Sequence, residues 1–187
     1  MTTREQGTLR TEVTERDHQI GPADAPITLV EYGDLQCPHC RRAHGVLPRV
    51  IRRLGDRLRF VFRHFPITES HPNALRAAEA AESVAAQAGE QAFWKMHDLL
   101  YEHQPEWEDA DDDTRILELA KEAGANPDTV AADLGSDRYE EHVKEDFMSG
   151  VRSGVNGTPT FFINGRRFDG DWTTVDSFVA ALEEAAS

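Results

Sequence analysis

The chain of 187 residues carries 34 acidic residues against 20 basic ones, a formal net charge of −14 at pH 7. That balance argues against general binding to nucleic acid or an anionic membrane. No stretch is apolar for long enough to span a bilayer or form the core of a secretory leader. The length can bury a sizeable core without staples, and a cytoplasmic location is expected, where two closely spaced cysteines point to catalysis or metal binding rather than a structural disulfide.

Residues 1–18 mix charges without sustained periodicity, which predicts a mobile or loosely docked arm, placed at 1–20. Gly21-Pro22-Ala23-Asp24-Ala25-Pro26 is turn-rich, and the apolar, β-branched run over 27–32 predicts a buried strand. Glu31 is its anomaly: a carboxylate there is costly unless it is paired, hydrated or used.

The strand leads into Asp34-Leu35-Gln36-Cys37-Pro38-His39-Cys40, which holds both cysteines of the chain. Cys37 is expected as a helix N-cap, with Pro38 in the first helical position and Cys40 in the third. The outer sulfur then faces the unpaired N–H groups of the first turn, which favours thiolate, so Cys37 is expected to be exposed and of low pKa. A His39 imidazolium beside it would stabilise that thiolate. Ala43, Val46, Leu47, Val50, Ile51 and Leu54 mark one buried helical face, with a kink expected at Pro48. Over 58–65, Leu58, Phe60 and Phe62 alternate with arginines and predict a second strand.

Helices are predicted over 73–88, 91–103, 114–123, 127–134 behind the cap Asn126, and 137–150. The acidic run 106–113 lacks the glycine and spaced ligands of a calcium loop. The arginines between 41 and 63 and the acidic stretch 102–146 predict two solvated faces that attract one another; a basic rim steering acidic partners to Cys37 is the sharper alternative. After Gly157-Thr158-Pro159, strands are predicted over 160–163 and 166–168 around an Asn164-Gly165 turn, followed by a helix over 174–185. His97, His103 and His142 are expected on helix surfaces, and Trp94, Trp107 and Trp172 are expected to pack or cover a groove.

Cys37-Pro38-His39-Cys40, Gly157-Thr158-Pro159-Thr160-Phe161 before a hairpin, and Glu31 before the cysteine turn occur in an order that resembles the DsbA-like thiol–disulfide oxidoreductases of the thioredoxin superfamily. The resemblance covers residues 21–187. It implies an α/β, thioredoxin-like fold with an all-helical insertion between the second strand and the cis-Pro strand: residues 21–69 and 148–187 form the thioredoxin-like domain and 70–147 the insertion. It further implies Cys37 as nucleophile, Cys40 as resolving thiol, Pro38 and His39 as the intervening dipeptide, Glu31 as the buried acid, Thr158 as a backbone contact for substrate and Pro159 as a cis-proline facing the sulfurs. Protein disulfides or thiols and glutathione-like small thiols are the implied partners, without cofactor or metal. Periplasmic oxidants with this dipeptide carry a secretory signal, and threonine before the cis-proline is more typical of isomerase-like relatives, so the direction of electron flow stays open. So does the oligomeric state. Two other classes stay open on the residues: a zinc module using Cys37 and Cys40 with His39, His44, His64 or His71, although a second well-spaced ligand pair is missing, and a non-redox chaperone or adaptor on the same fold.

Overall fold

The computed structural model describes residues 7–187 and organises them around one sheet of five strands: β1 (His18–Ile20), β2 (Ile27–Gly33), β3 (Leu58–His64), β4 (Thr160–Ile163) and β5 (Arg166–Phe168), in the order β1-β3-β2-β4-β5. β2 and β3 pair in parallel and the other neighbours are antiparallel. The two central strands are buried on both faces, as their near-continuous apolar runs demand. A parallel pair needs a crossover, supplied here by α1 (Pro38–His44), α2 (Leu47–Leu54) and a single 3₁₀ turn at Gly55–Arg57. The β4–β5 hairpin turns at Asn164-Gly165, both with positive φ (48° and 81°), the conformation this dipeptide favours.

Between β3 and β4 lie α3 (Ala74–Ala88), α4 (Glu90–Glu102), α5 (Gln104–Trp107), α6 (Thr114–Glu122), α7 (Pro127–Gly135) and α8 (Glu140–Arg152), and α9 (Val175–Ala186) closes the chain. Asn126 caps α7 by accepting from the N–H groups of Asp128 and Thr129, and Thr174 caps α9 by accepting from that of Ser177. The helical block builds a core from the alanine face of α3 and Phe93, Met96 and Leu100 of α4, which reaches Leu35, Cys37 and Cys40. A second apolar cluster joins Leu29 and Phe60 of the sheet to α1, α2 and α9; a third lies on the other face around Val30, Tyr32 and Phe162.

Four expectations are corrected. Residues 7–20 are firmly docked rather than a loose arm, while residues 1–6 lie outside the described residues. Leu9 donates to the Gly165 carbonyl, Arg10 to Ser153 Oγ, and β1 extends the sheet edge. The physical reason is Arg63 of β3, a buried guanidinium that needs acceptors: Asp17 and the carbonyls of Thr11 and Glu12 supply them, with the Tyr32 hydroxyl. The helix after the cysteines is broken at Gly45 and Val46 rather than kinked, because Pro48 has no N–H to offer the His44 carbonyl and instead opens α2. His97 is buried, and His103 and His142 are half-buried. The arginines after the cysteines form no ion pair with the acidic stretch among the described residues: Arg53, Arg57 and Arg63 pair instead with Asp176, Glu183 and Asp17. The acidic run also begins inside a short helix, α5, whose Trp107 is buried and donates to the Leu100 carbonyl.

His18 shows how β1 is held. Its ring stacks on Phe93 with centroids 3.5 Å apart and hydrogen-bonds Glu82 at 2.7 Å and Glu90 at 2.9 Å. Burial alone would lower its pKa, but the two carboxylates outweigh burial and raise it from 6.5 to about 10. A group whose folded pKa is raised contributes stability that is full below its unfolded pKa and fades as pH climbs through the folded one. His18→Gln is therefore expected to cost about 2 kcal/mol at pH 6, from the loss of charge-assisted hydrogen bonds. The cost should shrink steadily between pH 6.5 and 10, read as urea-unfolding midpoints of both proteins across that range.

Candidate active site

β2 delivers the chain to the turn before Cys37, and Asp34 fixes that turn. Its buried carboxylate accepts from the N–H groups of Gln36 and Ile67 and hydrogen-bonds His71 Nδ1, each at 2.8 Å. The Asp34 carbonyl accepts from the Cys37 N–H at 3.0 Å, and the Asp34 N–H reaches Cys40 Sγ at 3.5 Å. Gly33, just before it, runs flush against Phe62: a Cβ there would lie 2.4 Å from the ring.

The helical block clamps the same turn. Gln104 Nε2 donates to the carbonyls of Leu35 (2.9 Å) and Cys37 (3.2 Å), while Gln36 donates to the Glu108 carbonyl and accepts from the Asn73 N–H. Sequence reasoning missed Asp34, Gln36 and Gln104 as site-forming residues. Apart from the bond between Gln36 and Asp34, the partners of their side chains lie 33 to 72 positions away, and a polar residue in a loop carries no local mark of burial.

Cys37 is the N-cap of α1, with φ −70° and ψ 126°, and Pro38 occupies the first turn. Both thiols are free. Cys37 is only 3% exposed and Cys40 0%, which corrects the expectation of an exposed Cys37. The cause is the return loop: the Thr158–Pro159 bond is cis, and the Cys37 thiol lies 3.6 Å from the Thr158 carbonyl, while Thr160 Oγ1 ties the turn to the Gly157 carbonyl at 2.7 Å. Pro38 and His39 are what the motif shows to solvent.

The two sulfurs are driven apart. A hydrogen bond from Cys40 outweighs burial and, with Thr158 and the first-turn N–H groups of Cys40 and His39, brings the Cys37 pKa down from 9 to about 5. Burial pushes Cys40 well above 9, helped by the bond it shares with Cys37 and by the charge of Glu31. Glu31, 1% exposed on β2, is raised to about 8 by burial and then by the charge of Cys37, and its Oε1 has no hydrogen-bond partner. A site so arranged holds one ionised sulfur, one protonated sulfur and a carboxyl able to exchange a proton near neutrality.

Alkylation against pH is expected to show one thiol with a midpoint near 5, assigned to Cys37 by peptide mapping. By linkage this thiol stabilises the reduced protein fully above about pH 9, and the contribution is lost as pH falls to about 5. A first-reacting Cys40 would contradict the assignment.

The histidines considered as zinc ligands are dispersed. His39 faces solvent, His44 binds Asp98, His64 binds Glu82 and His71 binds Asp34. Among the described residues, the groups with metal-ligand geometry are His18, Glu82 and His142, and His44, His97 and Asp98, neither of which contains a sulfur.

Residues 13–184 match the family model described as Thioredoxin. Among curated relatives, the Na(+)/H(+) antiporter NhaA 1 of Salinispora arenicola is 43% identical over 171 residues, which cover 91% of this chain and 25% of that protein. The NhaA 1 antiporter of Mycolicibacterium gilvum is 39% identical over 177 residues, covering 94% of this chain and 27% of the relative. The chain thus spans about a quarter of the length of the curated relatives it matches. Among the described residues, no helix is long and apolar enough to cross a membrane. Of the solved structures, oxidised BdbD from Bacillus subtilis superposes with a TM-score of 0.83 at 24% identity, covering 97% of both chains. α-DsbA1 from Wolbachia pipientis gives 0.80 at 19% identity (93% and 92% covered), and reduced DsbA from Mycobacterium tuberculosis gives 0.70 at 22% (91% and 92%). With the family model matched over residues 13–184, most of this chain, the chain belongs to the thioredoxin family.

Proposed function

We propose that the protein is a thiol–disulfide oxidoreductase acting on protein disulfides or glutathione-like small thiols through Cys37 and Cys40. The observation that carries this is the placement of two free thiols at one helix N-terminus, with the outer sulfur 3.6 Å from the Thr158 carbonyl. The Cys37 thiolate attacks a client disulfide; a Cys37–client bond forms, the client bond breaks, and the departing sulfur leaves with the electron pair and takes up a proton. Cys40 then gives its proton to Glu31, attacks Cys37 and releases the client's second sulfur. The client is reduced by two electrons and the protein is oxidised to a Cys37–Cys40 disulfide; the same steps run backwards donate a disulfide.

Glu31 suits its part because its environment changes during the cycle. Burial and the Cys37 charge raise its pKa, and forming the mixed disulfide removes that charge, which frees the carboxyl to ionise and accept the Cys40 proton. Pro38 sets the helix start, and a protonated His39 beside Cys37 would favour the thiolate. Thr158 offers backbone groups to an extended client segment as a short added strand, with Pro159 leaving no N–H against the sulfur. In this mechanism residues 21–69 and 148–187 carry the redox chemistry and residues 70–147 clamp the cysteine turn. In a reducing compartment such as the cytoplasm the pair would act on disulfides; in an oxidising one it would donate them.

Reduced protein mixed with a fluorescent glutathione disulfide reporter should transfer two electrons per chain, and Cys37→Ser should transfer none. No transfer by the parent protein would overturn the proposal.

A further inference from the structure

Beside Cys40 the protein contains a cleft of about 170 Å³ whose lining includes neither Cys37 nor Thr158. Its inner wall is Glu31, Cys40, His97 and Tyr101, all buried, and its mouth includes the half-buried Ile51 and Trp94. Two of the lining residues each carry a buried polar atom without a hydrogen-bond partner: Glu31 Oε1 and His97 Nε2. Unpaired buried polar atoms demand an explanation, and a water occupies on the order of 10–15 Å³ on this measure, so the cleft has room for several.

The tautomer of His97 is set by its neighbour. Nδ1 lies 3.0 Å from Asp98 Oδ1, a carboxylate that can only accept, so Nδ1 carries the proton and Nε2 is left as a bare acceptor. The same Asp98 oxygen binds His44 Nε2 at 3.1 Å, and the Asp98 side chain is 49% exposed. The titratable groups around His97 are Cys40 and His44 on α1, Glu31 on β2, His64 on β3, and Asp98 and Tyr101 on its own helix.

We propose that this cleft is the proton exit for the resolving step: the proton that Glu31 takes from Cys40 passes through cleft water to His97 Nε2 and past Asp98 to solvent. This rests on the Cys37–Cys40 exchange proposed above and deepens it. The Cys40 S–H bond breaks and its proton moves to the Glu31 carboxylate. The Cys37–Cys40 bond forms as the Cys37–client bond breaks, and the client sulfur departs with the electron pair and is protonated by solvent. Glu31 then passes its proton to His97 Nε2 and is again a carboxylate, the Nδ1 proton leaves past Asp98, and exchange with cleft water returns the neutral ring to its Nδ1–H tautomer. Only the client disulfide is needed as oxidant.

The route from the front is closed at this moment, because the client and the Thr158 loop cover Cys37. Burial lowers the pKa of His97 against the pull of Asp98, so its imidazolium is short-lived and the ring carries the proton onward rather than keeping it. His97 acts through water and Glu31, as a positioning residue for the proton and not as a group that touches the sulfurs.

The test is rapid-quench kinetics of reduced protein with excess glutathione disulfide, resolving formation of the Cys37–glutathione adduct from its loss. His97→Gln should leave adduct formation and the Cys37 alkylation midpoint unchanged, slow adduct loss about 10-fold at pH 7, and remove one inflection from the pH profile of that step; tenfold is below the usual range for a lost acid–base group because water can partly substitute. Imidazole in solution should restore the rate to His97→Ala. Asp98→Asn, at a half-exposed position, should keep the fold and shift the inflection; it decides the matter if the His97 variants do not fold. An unchanged rate and profile for adduct loss in folded His97→Gln, or an unshifted inflection in Asp98→Asn, would overturn the exit route while leaving the exchange itself intact. Failure of the parent protein to form the adduct would overturn both.

Discussion

Cys40→Ser is expected to accumulate a mixed disulfide with glutathione or a protein client, and Cys37→Ser to accumulate none. At pH 7 a thiol with a pKa of about 5 is almost wholly thiolate, whereas Cys40 is raised well above 9 and is entirely buried. Attack therefore starts at Cys37, and the trapped adduct persists only when the second sulfur is missing. Turnover should fall by about 10³-fold or more in either variant, as for loss of an essential nucleophile. Intact mass of the variants after exposure to glutathione disulfide separates them, and equal trapping by both would contradict the fixed order of attack.

The second large effect concerns stability. Asp34→Ala removes the acceptor for the N–H groups of Gln36 and Ile67 and the partner of His71 Nδ1, all at 2.8 Å, at a residue 1% exposed. A buried donor left without an acceptor costs about 1–3 kcal/mol and a partly buried one less, since water reaches it, so the three losses together should lower stability by about 3 kcal/mol. Urea unfolding should show a lower midpoint with an unchanged slope, and Asp34→Asn, which keeps one acceptor oxygen, should lose less. The same substitution frees the turn that sets Cys37, so exchange should slow even in protein that remains folded.

The parts of the site that were legible in the sequence are those whose causes are local. Cys37 before Pro38 declares a helix start, and Asn164-Gly165 declares its turn, because each depends on backbone geometry within a few residues. Glu31 was legible as an anomaly, since a lone carboxylate in an apolar strand has few explanations. Thr158-Pro159 was readable as cis only through the resemblance.

What was not legible depends on partners far along the chain. β1 is three residues long, and its anchors are Glu82 and Glu90 on helices more than sixty positions away. Arg63 looked like a solvated arginine until its acceptors on residues 11–17 were placed. The burial of Cys37 comes from a loop 121 positions later. His97 is a different case, because its signal was present: Phe93, His97 and Tyr101 recur at four-residue spacing on α4, which puts the imidazole on the apolar face. Reading histidine as a surface residue by type hid a position that the helical period assigned to the core.

The most direct measurement is an equilibrium titration of the protein in glutathione redox buffers, with the thiols trapped and the intramolecular disulfide counted by mass. Lowering the Cys37 pKa stabilises the dithiol form relative to the disulfide, so a single two-electron transition is expected, at a potential more oxidising than the roughly −270 mV of thioredoxin. Absence of a Cys37–Cys40 disulfide at every buffer ratio, or a transition at or below about −270 mV, would contradict the assignment of these two sulfurs as a redox pair tuned by a stabilised Cys37 thiolate.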